Sequence, residues 1–140
     1  MIRLLDSTDG AVLDRVAPDV FDGPIQTPWT AEFLADERHH LAVAVADDLV
    51  VGIASAVHYI HPDKPPELWI NEVGVAATYR ERGIGTALLD ALFDHSRALG
   101  CAEAWVLTEE DNTAARRLYA RAGGTEEERP VYVTFDLSGR

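Results

Sequence analysis

Glu67-Leu68-Trp69-Ile70-Asn71-Glu72-Val73-Gly74-Val75, followed after four intervening residues by Arg80-Glu81-Arg82-Gly83-Ile84-Gly85, is the stretch on which the fold turns. The first run reads as a strand with a glycine near its end. From Ile84 the period changes: Ile84, Leu88, Leu92 and Leu99, with Ala91, form one helical stripe that Gly100 ends. The glycines between strand and helix let backbone amides approach a ligand that any Cβ would hold off. The first helical turn leaves those amides unpaired, and its dipole favours a nearby anion by roughly 0.3–1 kcal/mol. Strand, glycine turn and helix together make a cradle for a pyrophosphate. No Lys-Ser/Thr follows the glycines, so this is not a Walker loop, and the dinucleotide-binding spacing is also missing. A plain turn before a helix is the alternative.

Gly74 is a poor strand residue of the kind that marks a bulge or a close backbone approach. A bulge would free ladder groups to pair with a linear ligand carrying its own amides. Pantetheine, which joins a pyrophosphate in coenzyme A, is such a ligand. The alternative is a kink that only helps the sheet twist.

Outward from this centre the chain has no internal repeat and reads as one unit over residues 1–140. Ile2 to Leu5 is a short strand, and Thr8 or Asp9 caps a helix towards Ala17 that Pro18 stops. Asp19 to Trp29 is a loop, and Thr30 caps a second helix from Ala31 to about Arg38. Leu41–Ala46 and Leu49–His58 form an antiparallel hairpin turned by Asp47-Asp48. Ile60 to Pro66 is a loop, Glu103 to Thr108 a strand, Thr113 to Ala122 a helix, and Val131 to Leu137 alternates as a last strand. The order β-α-α-β-β-β-α-β-α-β predicts an α/β domain: a central mixed sheet, antiparallel early and partly parallel later, with helices on both faces.

A second constellation lies in Asn112-Thr113-Ala114-Ala115-Arg116-Arg117-Leu118-Tyr119-Ala120-Arg121-Ala122-Gly123. Asn112 is a good N-cap, Ala115, Leu118 and Ala122 share a helical face, and Tyr119 lies beside it. Taken alone, Tyr119 reads as a packing residue and Asn112 as a cap only.

Taken together and in this order, the two motifs resemble those of the GNAT superfamily of N-acetyltransferases. There a glycine loop follows a bulged strand, and an N-x-x-A-x-x-x-Y-x-x-x-G helix follows the next strand. Within it the chain looks most like the gentamicin-type aminoglycoside 3-N-acetyltransferases. That narrower likeness rests on the acidic strand before Val73-Gly74-Val75, on Arg116-Leu118-Tyr119, and on the ending from Glu126-Glu127-Glu128 to Phe135-Asp136-Leu137. The resemblance implies acetyl-CoA as acetyl donor, with the backbone of Val73 and Val75, flanking Gly74, on pantetheine. It implies that the amides of Arg82, Gly83, Ile84, Gly85 and Thr86 hold the pyrophosphate, and that Arg80 and Arg82 supply charge. Asn112 would sit near the pantetheine arm and Tyr119 near the sulfur, to protonate the departing thiolate. A homodimer is a further implication. Gly124 departs from the family, which commonly has an aromatic residue there.

The chemistry adds its own demands. An amine attacks a thioester only when neutral, so an ammonium substrate must lose a proton. Glu72, beside the proposed bulge, is the candidate acceptor, directly or through water, and a holder of the cation. Simple alternation puts Ile70 and Glu72 on one strand face and Asn71 and Val73 on the other. A solvated strand-end carboxylate is the alternative. A free bulge amide, that of Val73, would meet the oxyanion. No covalent acetyl-enzyme is required, and Cys101 reads as a small buried residue rather than a nucleophile.

Twenty-four acidic residues oppose twelve basic ones, a net charge of −12. Such a field opposes nucleic-acid backbones and anionic membranes and attracts a polycationic substrate, although acidity also serves solubility. Asp19 and Asp22 in the early loop and Glu67 on the central strand are candidates to line the acceptor side, for an aminoglycoside or another polyamine. Five histidines include none at zinc-site spacing, and with one cysteine no metal is expected. His58 is placed near the cleft or on the surface. The early acid at Asp6, the single cysteine and the lack of a long apolar run suit a cytoplasmic protein. Two other readings compete: a GNAT acting on a protein N-terminus or small metabolite amine, and a non-catalytic acyl-CoA-binding module.

Overall fold

The computed structural model describes residues 1–128 and 130–139. Five strands form one mixed sheet in sequence order: β1 (Ile2–Leu4), β2 (His39–Ala46), β3 (Leu49–Tyr59), β4 (Glu67–Val75) and β5 (Glu103–Val106). The first three junctions are antiparallel and β4–β5 is parallel. Three α-helices accompany them: α1 (Thr27–Ala35), α2 (Ile84–Ala98) and α3 (Thr113–Arg121). The mixed α/β architecture and the β2–β3 hairpin match the expectation. Asp47 and Asp48 both adopt positive φ, as a tight hairpin turn between twisted strands requires.

One sheet face is built from small residues. Ala42 pairs with Ala54, and Ala44 with Gly52. A Cβ on Gly52 would stand 3.1 Å from Ile84 Cγ2 and 3.2 Å from Leu88 Cδ1, so the gap is what lets α2 lie close. Leu88, Leu89 and Leu92 are fully buried there. The opposite face is covered by the early segment. Val20 lies over β4 so closely that a Cβ at residue 74 would collide with its carbonyl oxygen.

Several elements depart from the sequence expectation. The first helix shrinks to one 3₁₀ turn, Gly10–Asp14. Beyond it the backbone of Arg15 and Ala17 is taken by Val50, which donates to the one and accepts from the other. Helical bonding there would forfeit both. The second helix starts earlier, at Thr27, with Pro28 in its first turn. Thr30 is therefore inside the helix, where its amide bonds to the Gln26 carbonyl.

The strand expected at Val131–Leu137 does not form: these residues have no regular secondary structure. Val131, Tyr132, Val133, Phe135 and Leu137 are 60–87% exposed. Alternation specifies a strand's two faces but supplies no partner for its hydrogen bonds.

Candidate active site

β4 carries the site because its two edges have different fates. Its pairing with β5 ends at Ile70–Val106, whereas its pairing with β3 continues to Val75. Beyond Ile70 the two strands part. The Ala76 amide turns to Val51 on the β3 side. By strand alternation Val75 and Val73 present their backbone groups to the opposite, open edge. Of these, the Val75 carbonyl accepts from Arg80 Nε at 3.0 Å.

A bulge is present, but at Asn71 rather than at Gly74. Ser55 pairs with Glu72 and Ala56 with Ile70, leaving Asn71 without an opposite residue. Gly74 is in register with Ile53, and the Val20 carbonyl is what excludes a side chain from it. The bulge also overturns the expected facing. Ile70 and Val73 share the α2 face with their partners Ala56 and Ala54, whereas Glu72 joins Trp69 on the other face. One unpaired residue flips everything after it.

Glu72 is half-buried there. Its Oε2 accepts a hydrogen bond from the Asp22 amide at 2.9 Å. Burial pushes its carboxyl above the usual range, and the nearby Asp22 charge adds to the rise against the amide's opposing effect. Glu72 and Asp22 are thus brought together across 50 residues of sequence. Asp19 and Asp22 both line a cavity of about 850 Å³ between the 3₁₀ turn, the early loop and α1, with Phe21 and Leu34. Asp19 has a left-handed backbone. Glu67 is placed apart from them, engaged with His61 and Tyr59.

At the start of α2, Gly83 occupies the N-cap position with φ of 80°, and no side chain caps the helix. Glu81 also has positive φ. Left-handed residues alternating with right-handed neighbours turn successive backbone amides to one side, the form in which loops bind anions. A Cβ on Gly83 would meet nothing, so conformation and not crowding favours glycine. Gly85 differs. Its missing Cβ leaves room for Leu118, whose δ carbons stand 3.0 and 3.2 Å from that point, so it serves the contact of α2 with α3. Arg82 lies over the Tyr79 ring at 5.0 Å. Arg80, Arg82 and these open amides supply the positive potential that a diphosphate needs on an acidic protein, and they fit the phosphate end of coenzyme A.

On α3, the Asn112 side chain accepts from the Ala115 amide at 3.1 Å, so it is a working N-cap whose own amide group stays free to donate. Tyr119 is half-buried, and desolvation pushes its hydroxyl above the ordinary phenol range. Gly124 is explained by crowding: a Cβ there would lie 2.9 Å from the Tyr119 carbonyl, which already accepts the Gly124 amide. Burial likewise pushes the Cys101 thiol up, which disfavours the thiolate.

His58 belongs to neither place considered for it. Its Nδ1 is 2.7 Å from His40 Nε2, and the His40 ring meets His95 of α2 edge-on, so the three rings pack together at the C-terminal end of α2. The sequence reading also passed over Trp69 and Trp105, opposite each other across β4 and β5. Their signal was a tryptophan in each of the two strands flanking the open edge.

Residues 11–124 match the Acetyltransferase (GNAT) family. The chain belongs to that family. It is an acetyltransferase, and the acetyl donor of the family is acetyl-CoA. It is 31% identical over 88% of its length to the L-2,4-diaminobutyric acid acetyltransferase of Streptomyces coelicolor, covering 75% of that protein. Identity to the aminoglycoside N(6')-acetyltransferase type 1 of Salmonella typhimurium is 28%, over 69% of this chain and 70% of the other. The fold superposes with a TM-score of 0.82 on an aminoglycoside acetyltransferase from an uncultured soil sample, solved in complex with sisomicin. That pair is 19% identical, with 99% of this chain and 96% of the other covered. No helix among the described residues is long and apolar enough to cross a membrane.

Proposed function

We propose that this acetyltransferase acts on a primary amine of a polycationic acceptor of the aminoglycoside class, by direct attack within one ternary complex. One observation carries the reading. The open edge of β4 beyond Ile70 presents the Val73 amide on the strand that bears Glu72, a half-buried carboxylate beside Asp22. Acetyl-CoA supplies an activated acyl carbon when bound. The uncapped start of α2 from Arg82 to Thr86, with Arg80 and Arg82, would hold its diphosphate, and Val73, Val75 and Asn112 its pantetheine arm.

The chain's own groups then have distinct tasks. Glu72, held above the usual carboxylate range, takes the proton from the substrate ammonium and pairs with the cation before that. The Val73 amide donates to the carbonyl oxygen as it gains charge. Tyr119 keeps its proton at neutral pH and would give it to the sulfur as the C–S bond breaks, the phenolate then recovering the proton that the acetylated nitrogen sheds. Asp19 and Asp22, on the wall of the neighbouring cavity, attract the remaining ammonium groups.

The 3-N position rests on the resemblance to the gentamicin type, whereas the Salmonella relative acts on the 6' nitrogen; NMR of the product separates the two. A second reading, a short diamine such as 2,4-diaminobutyrate, draws on the Streptomyces relative. Thiol release from acetyl-CoA is to be measured with gentamicin, sisomicin, 2,4-diaminobutyrate, spermidine and a peptide amine. Turnover with the aminoglycosides at the highest kcat/KM is expected, and turnover with the peptide alone would overturn the assignment.

A further inference from the structure

The sheet face that carries Glu72 also carries an aromatic and acidic cluster that the acetyl transfer leaves unused. Trp69 and Trp105 stack, with ring centroids 5.1 Å apart and planes within 10° of parallel. Trp105 Nε1 donates to the Tyr59 hydroxyl at 2.9 Å, and the two rings meet edge-on. The Tyr59 hydroxyl donates in turn to Glu67 Oε1 at 3.4 Å. Glu67 Oε2 lies 2.8 Å from His61 Nε2, a nitrogen shut away from solvent and without a hydrogen-bond partner among the described residues. These two atoms are close enough for an ion pair but out of line for a hydrogen bond.

The position of the stack is what gives it meaning. Trp69–Trp105 is the rung before Ile70–Val106, the last pair before β4 and β5 part. Trp69 is three residues before Glu72 and on the same face, because the bulge at Asn71 turns Glu72 that way. Along a strand that is about 10 Å, room for one six-membered ring between the indoles and the reacting nitrogen. Trp69 remains 39% exposed in spite of the stacking. Indole surfaces attract ammonium groups and cover the C–H faces of saturated rings. Glu67 beside them and Glu72 beyond supply the complementary charge. A short aliphatic amine has no ring to lay there.

We infer that the Trp69–Trp105 stack is an acceptor subsite. It seats a sugar or aminocyclitol ring of the substrate while a neighbouring amine is presented to Glu72, and so selects ring-bearing polyamines over short aliphatic ones. This rests on the acceptor class proposed above and assigns it a recognition element.

Steady-state kinetics of Trp69→Leu and Trp69→Phe at saturating acetyl-CoA, with sisomicin and spermidine as acceptors, test it alongside tryptophan emission during sisomicin titration. The expected result for Trp69→Leu is a KM for sisomicin raised at least tenfold, with kcat, the acetyl-CoA KM and any spermidine turnover within twofold of the unmodified protein. Phe should restore part of the loss, and sisomicin should change the emission of the unmodified protein much more than that of Trp69→Leu. Equal losses with both acceptors would mark Trp69 as structural and overturn the subsite, as would an unchanged sisomicin KM. Loss of a dimer in Trp69→Leu with KM intact would make the stack an interface between copies, and would also overturn it. If no amine is acetylated, the transfer reading fails by itself; the emission titration then decides the subsite, and no response to sisomicin overturns it.

Discussion

Tyr119 and Glu72 have both been moved by burial towards their protonated forms, yet the proposed chemistry asks opposite things of them. A phenol raised by desolvation holds its proton through neutral pH, which suits a donor to a leaving thiolate. Tyr119→Phe keeps the ring and removes the proton, so kcat should fall about 10²-fold or more while acetyl-CoA affinity holds. Calorimetry with acetyl-CoA separates that outcome from a folding defect. As the proposed base, Glu72 must instead be ionised to accept a proton, and its raised carboxyl delays this. The acid limb of kcat/KM should therefore lie at higher pH than an ordinary glutamate would give, with activity lost as pH falls through it. Glu72→Gln should be most impaired above that acid limb and around neutral pH, where Glu72 is ionised and the amine still protonated, and the gap should narrow both towards pH 9–10, as free amine becomes abundant, and below the limb, where Glu72 itself is protonated. A uniform rise in KM at every pH would mark Glu72 as a binding carboxylate only. Gly74 carries a signal with two readings, a bulge or a close backbone approach, and the second is the one that holds. Its lack of a side chain signalled an exceptional backbone, but the exception is contact with Val20, and the bulge belongs to Asn71, which has no sequence mark of its own.

The helix whose start forms the proposed phosphate cradle is secured at its far end by His40, His58 and His95, from β2, β3 and α2. His40 is 6% exposed, and burial, followed by His95 and His58, depresses its pKa to about 4. His39 and Arg38 are also near the cluster and oppose a further positive charge, while Asp36 favours it. A histidine kept neutral in the fold but protonated when unfolded gives stability that is present above pH 6.5 and is lost as pH falls towards 4. The loss should be on the order of 3 kcal/mol in urea titrations between pH 7.5 and 4, and smaller in His40→Asn. Where elements announced themselves in the sequence, the chain carried both pattern and punctuation: the two aspartates of the hairpin, Ile84 to Gly100, and Asn112 to Gly123. Where it misled, long-range pairing decided. Val50 captures the backbone around Val16, and nothing local foretells it. The alternation from Val131 to Leu137 is a true strand pattern without a partner in the described structure. Arg116 grips Glu126 with two bonds of 2.8 Å just before it, and the segment leaves its apolar side chains in solvent. The dimer expected from the family resemblance would give that surface a use. Sedimentation should then report a dimer for the full chain and a lighter species after removal of residues 130–140, whereas a monomeric full chain would refute it.

At the scale of the whole molecule acetyl-CoA and the proposed acceptor face one field with opposite charges. A net charge of −12 attracts a polyammonium acceptor and repels a diphosphate-bearing donor. The repulsion gives the open amides of α2, together with Arg80 and Arg82, their part in the proposed cradle: a local positive site must overcome a negative surround. Salt screens the long-range part first, because the Debye length falls to about 10 Å at 0.1 M. Close hydrogen bonds at the cradle and at Glu72 are much less affected. Raising sodium chloride from 20 to 300 mM should therefore raise the KM of gentamicin several-fold while leaving that of acetyl-CoA unchanged or lower. Initial-rate measurements with each substrate varied in turn, at constant pH, check both slopes. A common rise would point to salt acting on the protein as a whole. An acceptor KM indifferent to salt would confine the acidity to solubility and leave recognition to Glu72, Asp22 and the tryptophan stack alone.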